Sequence, residues 1–431
     1  MLRTLANAWK DKDLRGKLLF TIMILVVYRI GACITVPFVT ADFINLYMSN
    51  SGGIFDFINI LSGGAFAQAT LFALGVSPYI TASIVIQLLA VAIPALERLS
   101  KEGDEGRKKM EQITRVATVI LSLITSIGYY FHLKNMGVLT HAGKGDEWFY
   151  AIVIIACYCA GSSLVMWLAE KINENGIGNG ISMILLANIL SRGASIATTL
   201  FDMFASGKVK DIIIAAVTIL GALAMLYFIV FISHSERRIP VQYAKKVVGR
   251  KMYGGQNSNI PIKLNMTGVM PIIFANTIVT IPTTLAMFIT PKKDSFWEGF
   301  VNFFSSDSWF YAVMTFVLVI VFAYFYVAIS FNPIEVASNL QKNGGSVPGI
   351  RPGRPTSDYI TKVLSRITLI GALALSIICV LPLFANIISG ANMAGLAFGG
   401  SSVIIVVGVI LELVNEIEAQ MTMRHYKGFL D

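Results

Sequence analysis

Residues Trp309–Phe331 read WFYAVMTFVLVIVFAYFYVAISF, an apolar run without one charged side chain. A helix needs roughly 20 mostly apolar residues to cross the hydrocarbon core of a bilayer, and this run meets that length alone. In lipid its backbone amides and carbonyls find partners only within the segment, so it predicts a transmembrane helix. Working outward, nine more runs share the pattern: Leu18–Phe38, Thr70–Ala95, Ile113–His132, Trp148–Leu168, Ile181–Phe201, Ile212–Ile232, Thr267–Ile289, Ile367–Ile388 and Gly395–Val414. Composition agrees. Hydrophobic residues make up 55% of the 431 and charged residues 14%, whereas a soluble domain carries about a quarter charged residues. The expected class is an all-α polytopic membrane protein with ten transmembrane helices.

The net charge of +9 is unevenly placed. Lys and Arg crowd the N-terminus (Lys10, Lys12, Arg15, Lys17), the loop after the second run (Arg98, Lys101, Arg107, Lys108, Lys109) and the loop after the sixth (Arg237, Arg238, Lys245, Lys246, Arg250, Lys251). The loop after the eighth adds Lys342, Arg351, Arg354 and Lys362. All of these fall on one side of a ten-span topology. The positive-inside rule then puts both termini in the cytoplasm, which an even number of spans allows. Cys33, Cys157, Cys159 and Cys379 all lie in apolar runs, so no disulfide framework is expected.

Three segments do not span. Gly53–Phe66 places Ile54, Phe57, Ile58 and Leu61 on one helical face, with Asp56, Asn59 and Ser62 as a polar stripe. It is too short to cross, so it either lies in the interface or folds back into the protein. The basic loop 234–264 contains the β-prone stretch Arg238–Tyr243, which fits a small projecting hairpin. The loop 332–362 is rich in Gly and Pro yet carries Ile334, Val336, Leu340, Val347 and Ile350, so it reads as an ordered loop. The second and seventh runs are the polar ones. One holds Ser77, Thr81, Ser83 and Gln87; the other holds Asn276, Thr277, Thr280, Thr283 and Thr284; both contain prolines. Such spans either hydrogen-bond to neighbouring helices or line a cavity or movable seam.

Several chemistries have no residues to carry them. The sequence holds no phosphate-binding G-x-x-x-x-G-K-[ST] loop and no H-E-x-x-H pair. Gly176–Gly180 follows a span rather than a strand and reads as a turn into the fifth run. A coupled secondary transporter needs ionisable groups at membrane depth, and here they are sparse: Arg29 in the first run, Glu412 and Glu416 near one end of the tenth. A central Arg costs roughly 2.5–3.5 kcal/mol on insertion scales, so Arg29 is expected to be paired or snorkelled. No enzyme activity and no cofactor are expected.

The motifs resemble those of the bacterial SecY family, in order and over nearly the whole chain. They are Phe72–Gln87 (FALGVSPYITASIVIQ), Lys101–Arg107 (KEGDEGR), Asn175–Ser182 (NGIGNGIS), Phe331-Asn-Pro, Val347–Gly353 (VPGIRPG) and Phe398–Ser402 (FGGSS). The resemblance implies two pseudo-symmetric five-helix halves, 1–203 and 204–431, around an hourglass pore. It implies a constriction of six aliphatic side chains, Val76, Ile80, Ile181, Leu185, Ile273 and Ile405. The segment 53–66, with Ile54, Phe57, Ile58 and Leu61, would be a plug on the outer side. Spans two and seven would form a lateral gate through Thr81, Gln87, Asn276 and Thr277, with Gln87 facing Asn276 or Thr277. Arg250, Lys251 and Arg351 fall at positions that engage partners.

The implied function is a protein-conducting channel of the bacterial plasma membrane. The implied partners are SecE, SecG, the motor ATPase SecA, the ribosome, secretory preproteins with their signal peptides, and membrane lipid. The competing reading is a secondary transporter of a small solute. Without the resemblance, each ring residue would read as ordinary helix packing.

Overall fold

A computed structural model describes residues 9–39, 56–139, 147–205, 207–243, 246–248, 251–253, 257–286, 288, 296–304, 308–389 and 400–427. Each of the ten apolar runs meets a helix. In chain order the elements are α1 (Lys12–Gly31), α2 (Asp56–Leu61), α3 (Ser77–Ala92), α4 (Pro94–Lys101), α5 (Asp104–Asn135), α6 (Glu147–Asn175), α7 (Gly180–Ala205) and α8 (Val209–His234). Four strands follow: β1 (Glu236–Tyr243), β2 (Lys246–Val248), β3 (Lys251–Tyr253) and β4 (Asn257–Lys263). Then come α9 (Met270–Val279), α10 (Ile281–Leu285), α11 (Phe296–Phe303), α12 (Trp309–Ser330), α13 (Pro333–Lys342), β5 (Gly345–Ser346), α14 (Arg354–Ser389) and α15 (Gly400–Lys427).

Among the described residues, 7 helices are long and apolar enough to cross a membrane, or 8 if the bent pair α3–α4 is one span. α1 and α9 occupy the other two expected runs. α1 carries Arg15, Lys17 and Arg29, and α9 has only 10 residues, so length and composition alone do not select them. α8 shows what a lipid-facing helix looks like here, with Ile213, Val217, Leu220, Leu223 and Phe231 all exposed.

Three runs end differently from the sequence reading, each for a local reason. The first was expected to reach Phe38, but its helix stops at Gly31. The chain then pairs sideways: the Leu71 amide donates to the Ile34 carbonyl at 2.8 Å, and Thr35 bridges Thr70. That pairing also takes the start of the second run, so α3 begins at Ser77 rather than Thr70, with Pro78 in its first turn. α3 stops before Pro94, because the residue preceding a proline is pushed out of the helical region. Ile93 is extended (φ −107°, ψ 114°), and α4 leaves at 107° to α3. The seventh run is broken at Thr280, just before Pro282, whose missing N–H removes a helical hydrogen bond.

The basic loop between α8 and α9 does form a hairpin. β1 pairs antiparallel with β4 from Glu236–Lys263 to Gln242–Asn257, and β2 pairs with β3. β5, from the distant loop after α12, adds to the other edge of β1. Ile239, Val241 and Ile262 pack with Leu340, Val347, Ile360 and Leu364, so the two loops share one small core. Extended backbone at Phe331 and Asn332 separates α12 from α13. Asn332 Oδ1 accepts from the Ile334 and Glu335 amides at 3.2 and 3.4 Å, an N-cap with proline in the first turn.

Ile262 is 0% exposed at the centre of that shared core. Ile262→Asp would bury an unpaired carboxylate and is expected to cost about 3 kcal/mol or more. Limited proteolysis of the purified protein should then cut between residues 236 and 263 while α12 and α14 stay protected; a cleavage pattern like that of the parent would show that the sheet does not depend on this core.

Candidate functional site

The six residues expected to form a constriction come from four helices: Val76 at the start of α3 with Ile80 inside it, Ile181 and Leu185 on α7, Ile273 on α9 and Ile405 on α15. Five are buried, at 2%, 5%, 0%, 6% and 2% exposure for Val76, Ile80, Leu185, Ile273 and Ile405. Ile181 is half-buried and packs against the same apolar cluster. All six thus lie in or against one large apolar cluster to which α3, α7, α9 and α15 contribute. Neighbours in that cluster include Ile184, Ile272 and Ile404.

Of the two readings left open for the 53–66 segment, the structure shows the second: the described part folds back into the protein. Ile58 and Leu61 are both buried, and Leu61 belongs to the waist cluster itself. Two residues of the polar stripe bond locally. Asn59 Oδ1 accepts from the Ala67 amide at 3.1 Å, and Ser62 Oγ accepts from the Phe66 amide at 3.0 Å. From outside, Tyr129 donates its hydroxyl to the Phe66 carbonyl at 2.6 Å, and Tyr158 donates to the Ala69 carbonyl at 3.3 Å. Phe57 lies on the α2 backbone; Ile54 lies outside the described residues.

Beside the waist, a cavity of about 190 Å³ separates α3 and α5 from α9–α10. Ile58 and Leu61 of α2, Ile80 and Thr81 of α3, Thr277 of α9 and Thr284 of α10 line it. The threonines face it without offering much polarity. Thr81, Thr277 and Thr284 donate to the Ser77, Ile273 and Thr280 carbonyls of their own chain segments at 3.0, 2.7 and 2.7 Å. The expected pairing of Gln87 across the seam differs from what is observed. Its amide nitrogen donates to Ser83 Oγ on its own helix at 3.2 Å. Asn276 is 2% exposed, and its amide nitrogen has no hydrogen-bond partner.

Arg29 is paired, as its cost in a membrane requires. Its Nη1 donates to Asn188 Oδ1 at 3.4 Å. Asn188 in turn donates from Nδ2 to the Tyr28 hydroxyl at 2.9 Å and to the Leu61 carbonyl at 2.6 Å. The sequence reading passed over Asn188. Its signal was there: Ile181, Leu185 and Asn188 are four and three residues apart, one face of a helix, and a primary amide on that face is out of keeping with its neighbours.

At the sheet end, Arg351 is exposed at the tip of Val347–Gly353. Gly349 (φ +81°) and Gly353 (φ +97°) take backbone conformations that L side chains rarely adopt. The Thr356 hydroxyl donates to the Arg351 carbonyl at 2.8 Å, which fixes the tip. Lys251 starts β3; Arg250 lies outside the described residues.

With this geometry in place, comparison with known proteins is informative. The family model described as SecY matches residues 70–414. The protein translocase subunit SecY of Streptomyces galbus is 43% identical over 444 residues, covering 100% of both chains. Among solved structures, one described as that of a protein conducting channel superposes with a TM-score of 0.67 at 18% identity, covering 94% of this chain and 92% of that one. Sec61 in a canine ribosome-channel complex from the endoplasmic reticulum gives 0.63 at 17% identity, with the same coverage. At such identities the structural likeness shows the fold.

The unpartnered amide of Asn276 has a measurable consequence. A buried donor without a partner costs about 1–3 kcal/mol, and an apolar replacement of similar shape removes that cost. Asn276→Leu is therefore expected to raise the thermal unfolding midpoint of the purified protein. A lower midpoint would mean that the amide makes a bond the packed helices conceal.

Proposed function

The chain belongs to the SecY family, and from that membership we propose that it is the protein-conducting channel of a translocase. It passes unfolded secretory polypeptides across the membrane and releases apolar segments sideways into lipid. The observation that carries this reading is the convergence of Val76, Ile80, Ile181, Leu185, Ile273 and Ile405 on one apolar cluster, with Leu61 of α2 packed into it.

A translocating chain is extended and varied in sequence. A ring of aliphatic side chains opens around such a chain and closes behind it without binding any one residue. When empty, an apolar constriction blocks ions by dewetting. α2 and the turn after it serve as the plug, filling the space beside the ring. The cavity between α3 and α9–α10 marks the lateral gate, lined by Thr81 and Thr277 and flanked by Gln87 and Asn276. Sorting there follows transfer energy. Roughly ten Leu-like residues at about −0.5 kcal/mol each favour lipid by about 5 kcal/mol, and two central charges cancel that gain.

The two halves, 1–203 and 204–431, would move about a hinge between α7 and α8. The protein resides in the bacterial plasma membrane with both termini in the cytoplasm. That places the β1–β5 sheet and the Arg351 tip where cytosolic partners arrive. Arg250, Lys251 and Arg351 engage the motor ATPase SecA or the ribosome, since guanidinium forks fit carboxylates and RNA phosphates. SecE and SecG complete the complex, and secretory preproteins with their signal peptides are its substrates. The secondary-transporter reading lacks support: among the described spans no series of carboxylates crosses the membrane, and Arg29 is engaged by Asn188.

Two experiments test this reading. Ile80→Cys and Ile273→Cys, each made separately, should crosslink to a secretory chain arrested during export, while lipid-facing Val217→Cys should not. Crosslinking at Val217 and at neither waist position would overturn the channel assignment. Arg351→Glu is expected to abolish ATPase-driven export while membrane insertion and protein abundance stay at parental levels. Normal export by that variant would remove Arg351 from the docking surface.

A further inference from the structure

The polar knot around Asn188 has no part in the ring or the gate, and it bears on how α2 is held. Asn188 is 0% exposed. Its amide offers two donor hydrogens and one acceptor oxygen, and all are engaged. Nδ2 donates to the Leu61 carbonyl at 2.6 Å and to the Tyr28 hydroxyl at 2.9 Å, and Oδ1 accepts from Arg29 at 3.4 Å. Leu61 is the last residue of α2, where carbonyls have no partner within the helix. Asn188 supplies from α7 the donor that this helix end lacks. Ser191, three residues further along α7, spends its one hydroxyl hydrogen mainly on the Asn188 carbonyl at 2.7 Å and reaches the Gly63 carbonyl only at 3.4 Å. Gly63 sits at φ +66°, and a Cβ there would lie 2.8 Å from Arg29 Nη1 and 2.9 Å from Asn188 Oδ1. The turn that ends α2 therefore presses on the knot.

We propose that Asn188 is a positioning residue for the plug, latching the C-terminal end of α2 to α7 and α1 and setting the balance between sealed and unsealed pore. The proposal rests on the channel reading above. Asn188 shares its helix face with Ile181 and Leu185, so the latch and the ring ride on one element. A displacement of α7 that widens the ring pulls the amide from the Leu61 carbonyl. Water then replaces each partner, so the latch opens without stranding a polar group in the protein. A helix end held only by apolar contact would lack this exchange, and its carbonyl would stay unpaired while sealed.

The test uses the full chain with its partner subunits, read by ion leak in proteoliposomes and by cellular export of a reporter whose signal peptide is defective. Asn188→Asp keeps an acceptor for Arg29 and for the Tyr28 hydroxyl but presents only oxygens to the Leu61 carbonyl. Both readouts should rise about ten-fold, the equivalent of ~1.4 kcal/mol in the sealing equilibrium. Asn188→Ala removes the same donor to the Leu61 carbonyl without adding a charge and should raise them by about three-fold or more, as expected for the loss of one neutral hydrogen bond. If Asn188→Asp does not accumulate, Asn188→Ala decides the matter alone. In a chain lacking residues 56–61, neither substitution should change the leak further. A leak unchanged in the variants, or one that rises equally without 56–61, overturns the latch. Failure of the channel reading would show separately, as absent crosslinking at Ile80 and Ile273 in the parent.

Discussion

Inside a membrane every backbone amide and carbonyl must find its partner within the protein, and the rest of this structure follows from how that demand is met where the chain is not helical. Residues 62–76 lie between α2 and α3 and would strand many such groups. They are met by backbone turns within the segment and by side chains from four directions. Tyr129 and Tyr158 donate to the Phe66 and Ala69 carbonyls, Asn59 and Ser62 accept from the Ala67 and Phe66 amides, and Asn188 takes the Leu61 carbonyl. The strand-like pairing of Ile34 with Leu71 completes the set. Only with these bonds in place does a short helix rest at the middle of an apolar bundle.

That arrangement frees the positions proposed for the pore ring to be aliphatic. Because the turn after α2 is satisfied by residues on α5, α6 and α7, none of the ring positions has to carry a polar group. The polar residues of the seam likewise spend their hydrogen bonds on their own helices, as Thr81, Thr277 and Gln87 do. Two surfaces that do not bond to each other part without losing specific partners. Asn276 is the departure from this rule, a buried amide nitrogen left unpaired beside the ring residue Ile273.

The helices were legible in the sequence because each apolar run declares itself by length. Their ends were less so. Gly31 and Ser77 end and begin helices on account of a pairing between residues that lie far apart in the chain, and periodicity carries no trace of it. The bend at Ile93 was readable from Pro94, and the break at Thr280 from Pro282. The hairpin was visible in the β-prone stretch Arg238–Tyr243, but the third strand was not, since Gly345–Ser346 is too short to show a pattern. For the site, motif order located the aliphatic positions on α3, α7, α9 and α15, and only the structure shows that they share one apolar cluster. Asn188 escaped because a lone amide in a span is common, and its partners Tyr28 and Leu61 come from two other segments.

Magnitudes explain why the latch is polar and the ring is not. A hydrogen bond exchanged for water nets only about 1 kcal/mol, so the two bonds that reach the end of α2, to the Leu61 and Gly63 carbonyls, hold it by at most roughly 2 kcal/mol. A long apolar segment entering lipid through the seam gains about 5 kcal/mol. The first quantity lies below the second, so these polar bonds alone do not hold α2 against such a segment. Burying α2 through a larger apolar face would reverse that order, because each additional Leu-sized side chain adds about 1.5–3 kcal/mol. The short length of α2, with Ile58 and Leu61 as its buried anchors, keeps the closed state within reach of the segments that have to open it.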